Sequence, residues 1–127
     1  MAPMNWKAKG ALAVVILIAV SSVATGYCAS RYYHDEQIRA EMHAKALVLK
    51  DEIDRRFPAG TPRAHFMEFA DKWPGWRGES SREYWISIGQ EPSRAWYCGP
   101  YEVGVVIGFK DDRVRDTRIA TWGLNCP

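Results

Sequence analysis

The side chains of this 127-residue chain best suited to chemistry are three cysteines, three histidines and an adjacent pair of aspartates. His34 and His43 are nine residues apart on a stretch of helical pattern, hence on opposite faces, and His65 has no ligand-type neighbour. Cys98 and Cys126 each lack the close second ligand of a zinc site. Asp111 and Asp112 read as turn formers, because the alternating acids and closing glutamate of a calcium loop are missing. Ser80 and Ser81 have no evident base, and neither a nucleophile elbow nor a glycine-rich phosphate cradle occurs. The chain is therefore expected to use no metal or cofactor and not to be an enzyme.

Oxidation is the chemistry left to the cysteines. If Phe109 pairs with Val114 across a hairpin at 110–113, paired positions add to 223, and Cys126 falls opposite Tyr97 and beside Cys98. A Cys98 to Cys126 disulfide is expected, worth about 3 to 4 kcal/mol by the chain-entropy model. It implies an oxidising compartment such as a bacterial periplasm. The competing reading is two buried, reduced cysteines in a cytoplasmic domain. Cys28 is left over as a free thiol, a lipidation site or part of a removed peptide.

Aromatic residues are the other unusual content. Trp73, Trp96 and Trp122 are assigned to the core, whereas Trp76 follows Pro74-Gly75 in a polar loop at 76–82. That loop and the one at 90–94 form the candidate contact surface for a protein partner, with Trp76, Arg77, Arg82, Trp85 and Arg94 as its binding residues.

The elements that must position these residues start with an apolar run at 10–29. Roughly 20 helical residues span about 30 Å, the thickness of a bilayer's hydrocarbon core. Lys7 and Lys9 before it complete the layout of a secretory signal or anchor. Three fates are open: an uncleaved anchor, cleavage before Thr25, and lipidation at Cys28, where Tyr27 stands in place of the usual small residue. The two lysines and the short leading tail favour a single-pass protein of the bacterial inner membrane with its C-terminal domain in the periplasm. They also account for the whole excess of 17 Lys and Arg over 15 Asp and Glu, so the remainder is neutral and carries no footprint for nucleic acid.

Beyond the anchor, Ile38, Met42, Ala46, Leu49, Ile53 and Phe57 make one helical stripe over 31–57. Packing on its own domain and a coiled-coil seam are the two uses of such a stripe. Thr61 as N-cap and Pro62 at the first helical position open a second helix carrying Phe66, Phe69, Ala70 and Trp73. Alternating patterns then predict strands at 84–88, 95–98, 103–109 and 114–122. The fold class is α+β: an N-terminal transmembrane helix, then two helices packed on an antiparallel meander of three to four strands. The expected segments are an anchor or signal at 1–30, an amphipathic helix at 31–57 and a small α+β domain at 58–127.

Gly60-Thr61 opening a helix, the pair Trp96-Tyr97, and the run Val103 to Phe109 followed by an acidic turn and Val114 resemble the small SmpA/OmlA (BamE-like) lipoproteins of the outer membrane, over about residues 58–119. The resemblance implies two helices followed by a three-stranded meander, and a non-enzymatic envelope module that binds other proteins. The expected function is a membrane-tethered interaction or scaffold module with an envelope protein as partner. Its alternative is a periplasmic immunity or inhibitor protein acting on a toxin or hydrolase, and an enzyme of cell-wall hydrolysis is a third, more distant reading.

Overall fold

The computed structural model describes residues 3, 5–95 and 97–123, in two units, 1–36 and 37–127. Helix α1, Trp6–Arg56, contributes to both. Its N-terminal part is long and apolar enough to cross a membrane, with a mean hydropathy of 2.2 and no buried residue in its most apolar window. Two successive helices were expected here and the chain makes one. The reason is legible afterwards: between Gly26 and Pro58 no glycine or proline interrupts the helix.

In the second unit the stripe behaves as packing demands. Ala46, Leu49 and Ile53 of α1 and Phe57 just beyond it are buried, while Ile38 and Met42 are half-buried. Helix α2, Arg63–Ala70, follows and buries Phe66 and Ala70. Its N-cap is Pro62, not Thr61, and no side chain caps it. Thr61 is engaged elsewhere: its hydroxyl donates to the Pro58 carbonyl at 2.6 Å, and its own carbonyl accepts from the Val114 amide at 2.8 Å.

The sheet contains β1 (Arg77–Glu79), β2 (Glu83–Glu91), β3 (Tyr101–Lys110) and β4 (Arg113–Trp122), antiparallel in sequence order. The number of strands agrees with the sequence reading, but one of them sits elsewhere. β1 forms where a polar loop was expected, pairing Gly78 with Trp85 and Glu79 with Tyr84. Residues 92–95 and 97–100 form no strand, and a turn bond from the Cys98 amide to the Ala95 carbonyl at 3.1 Å lies where the strand was expected at 95–98. Trp96 lies outside the described residues.

The β3–β4 hairpin is tighter than a four-residue loop. Asp111 and Asp112 alone connect the strands, with φ of 53° and 57°, the left-handed pair that a type I′ turn requires. Phe109 pairs with Val114 and Lys110 with Arg113, as expected, but from Gly108 and Asp116 onward paired positions add to 224. Arg115 is the extra residue, inserted as a bulge.

One face of the sheet packs on the helices. Phe66 is fully buried among Phe57, Tyr84 and Phe109, with ring centroids at 5.4, 5.5 and 5.8 Å, and Ile53, Ile86, Val105 and Ile107 complete the cluster. Phe66→Ala is expected to cost about 3–5 kcal/mol, read as a lowered urea midpoint of the detergent-solubilised chain by tryptophan fluorescence. Asp112→Gly is expected to act in the opposite direction, raising stability by up to about 1 kcal/mol by relieving the left-handed backbone of the turn.

Candidate functional site

The five residues assigned to partner binding separate into three groups. Trp76 and Trp85 come together: both rings lie against Gly78, where an added Cβ would stand 3.0 Å from one and 3.3 Å from the other. Arg77 turns back to α2. Its guanidinium donates to the carbonyls of Ala70 at 3.2 Å, Asp71 at 2.7 Å and Trp73 at 3.4 Å, satisfying groups that the helix end leaves open. Arg82 and Arg94 flank opposite ends of the nine-residue β2, so they belong to different surfaces.

Trp122, assigned to the core by sequence, lies on the face of the sheet that turns away from the helices. Its ring meets that of Trp76 at 5.7 Å, and it leans over Gly104, where a Cβ would stand 2.8 Å from it and would run into the Ile86 carbonyl. With Trp85 and the Arg118 to Glu83 ion pair at 2.6 Å, this pair roofs the outer face, and Val106 beneath is 1% exposed. Gly104 therefore serves close approach by a ring of the same chain.

A cleft of about 540 Å³ opens between α1 and an irregularity of β2 at Ser87 to Gly89. Lys45, Val48, Leu49 and Glu52 line it from the helix, Trp73, Pro74, Gly75 and Trp76 from the connection, and Ser87, Ile88, Gly89 and Glu102 from the sheet. Two of its walls are unusually open for apolar side chains, Val48 at 70% and Trp76 at 51%. Its polar groups are largely paired. The Trp73 indole donates to the Ser87 carbonyl at 3.0 Å, while the Ser87 hydroxyl and the Gln90 amide donate to Glu102 at 2.5 and 2.7 Å. The serine faces a carboxylate, and the wall of the cleft is largely apolar.

A second concavity of about 370 Å³ on the helical side is lined by Arg56, Phe57, His65, Glu68, Phe69, Lys72 and Trp73, with Arg56 over the Phe57 and Phe69 rings at 5.3 and 4.9 Å. Among the described residues no three His, Cys, Asp or Glu side chains gather as a metal site would need. Two groups titrate away from their ordinary values. A hydrogen bond from Lys45, and then its charge, holds the exposed Glu41 low, and burial pushes the Tyr84 hydroxyl up against the opposing charge of Arg77.

Two arginines to which the sequence assigns no positioning role organise this region. Arg39 grips the Pro92 carbonyl through Nε at 3.2 Å and a terminal nitrogen at 3.0 Å, fastening the 92–100 loop to α1. Arg63 donates to the Ser80 and Ser81 carbonyls at 3.0 Å each, pairs with Glu79 at 3.3 Å, and lies 4.5 Å over the Phe109 ring. Only the excess of arginine in a neutral domain hints at such roles. Cys28 is a free, exposed thiol, Cys98 is engaged, and Cys126 lies outside the described residues.

Compared with family models, curated proteins and solved structures, the chain matches none. Arg77→Ala is expected to lower stability by about 1–2 kcal/mol through the uncapped end of α2. Arg94→Ala, at an exposed side chain with no hydrogen bond or ion pair among the described residues, is expected to leave the urea midpoint read by tryptophan fluorescence unchanged.

Proposed function

We propose that this chain is a membrane-tethered envelope protein whose 37–127 unit stands in the periplasm and binds another protein, without catalysis, through the cleft between α1 and β2. The observation that carries the reading is the cleft itself: about 540 Å³, with Val48, Trp76 and Ile88 in its walls and Val48 and Trp76 largely open to solvent. Tryptophan supplies large contact area for little lost side-chain freedom, and such anchors dominate protein interfaces. Lys45, Glu52 and Glu102 at the same cleft give it a charged rim that can fix orientation.

The α1 segment able to cross a membrane supports the tether. The disulfide from Cys98 to Cys126 belongs to this proposal and supports the oxidising compartment. Cys98 is not a free thiol. The resemblance to SmpA/OmlA lipoproteins points to the same kind of module and rests on sequence alone.

Photo-crosslinking from position 48 in bacterial membranes tests the reading, with the full chain carrying a benzophenone side chain there. One discrete adduct with an envelope protein is expected, and Ile88→Asp should reduce it about tenfold or more, as loss of an interface anchor does. An adduct insensitive to Ile88→Asp, or no adduct at all, removes the cleft from partner binding. Alkylation of three cysteines without prior reduction would remove the periplasmic location.

A further inference from the structure

The two edges of the sheet are unlike. β1 closes one side with three residues, too short to template another strand, whereas β4 runs for ten. The beginning of β4 is covered by its own chain. Pro62 bridges to Arg113, the Gly60 amide donates to the Val114 carbonyl at 2.7 Å, and the Val114 amide donates to the Thr61 carbonyl at 2.8 Å.

Alternation decides what the rest of the edge presents. The Phe109 amide donates to the Arg82 carbonyl at 2.7 Å, so positions 109, 107 and 105 of β3 turn their peptide groups toward β2, and 108, 106, 104 and 102 turn toward β4. Their partners Asp116, Arg118, Ala120 and Trp122 face inward, and Thr117, Ile119 and Thr121 point their N–H and C=O groups away from the sheet. The bulge at Arg115 sets this phase, since Val114 also points outward and an unbulged strand would turn Asp116 outward with it. Among the described residues no group pairs with the outward amides and carbonyls of these three residues.

The same three residues read identically in both directions: Thr, any residue, Ile, any residue, Thr. An antiparallel copy of β4 centred on Ile119 sets Ile119 against itself and Thr117 against Thr121, with Arg118 opposite Ala120 and Asp116 opposite Trp122. All three outward residues of both copies then exchange hydrogen bonds, and each facing pair of them is β-branched, the favourable kind. The registers nearer the hairpin fail on charge or space. Centring on Arg118 puts two arginines face to face, and centring on Thr117 drives Ala120 into the Gly60-Thr61 segment already seated on Val114.

We propose that β4 is a self-association edge: two copies of this chain pair antiparallel about Ile119, joining their sheets into one continuous sheet. The inference is independent of the cleft, whose lining contains no β4 residue.

The test uses the full chain in lipid nanodiscs and in detergent, with Cys28→Ser to silence the free thiol. Ile119→Cys is expected to give a covalent dimer with a short bis-maleimide, whereas Lys110→Cys, at the hairpin, gives none. Ile119→Pro removes an N–H that β3 does not use, so it should leave the unfolding midpoint unchanged and weaken dimerisation at least tenfold by analytical ultracentrifugation. A monomer at every concentration overturns the proposal, as does a dimer untouched by Ile119→Pro, or Ile119→Cys captured by a different protein in place of a second copy. Should Ile119→Pro fail to fold, the cross-linking comparison decides alone.

Discussion

A strand buried on both sides needs two covers, and β3 is such a strand: Val103 to Phe109 are all buried. The helices supply one cover. Phe66, Ile53 and Leu49 press on Ile86, Val105 and Ile107, and the aromatic cluster around Phe66 holds α2 against the sheet. Among the described residues of the 37–127 unit no helix covers the other side, so the sheet folds its own side chains over it. Trp76 and Trp122 meet above Ser87 and Gly104, and that arrangement requires small residues beneath the rings. In a unit this small, burial on one face alone leaves a marginal core. The tryptophan roof gives the second face its share of apolar burial.

Much of the smaller architecture exists to hold this double-sided strand in place. Arg63 ties the β1–β2 turn to α2 and stacks over Phe109 at the end of β3. Arg77 ties the start of β1 back to the carbonyls that end α2. These two arginines stitch a three-residue strand to an eight-residue helix, neither of which has length enough to be stable alone. The cleft beside Trp76 is a by-product of the same economy, because the connection from α2 to β1 cannot fill the space between α1 and the irregular part of β2.

The sequence speaks clearly where a period repeats. The α1 stripe from Ile38 to Phe57, the alternation of β2 and the apolar run of β3 are legible because each spans enough residues to establish a phase. β1 is not legible, since three residues show no alternation and Arg-Gly-Glu has no strand preference. The register of β4 beyond Gly108 escapes for another reason: a bulge adds a residue without changing composition. Of the candidate contact residues, the association of Trp76 with Trp85 is what spacing can suggest. Arg77 looks like any exposed arginine until the end of α2 lies beside it, and Arg39 reaches a carbonyl 53 positions away, beyond any local signal.

The grip of Arg39 on Pro92 matters for mechanics as well as for position. α1 enters the sheet unit at its N-terminal end, and a pull transmitted along that helix meets this clasp before it reaches the packed stripe of Ala46, Leu49 and Ile53. Load parallel to the helix axis acts on the stripe in shear, so its contacts share the force and do not peel one at a time. The 92–100 loop, fastened at Pro92, would feel tension first. Load entering along α1 therefore reaches this loop before it reaches the sheet.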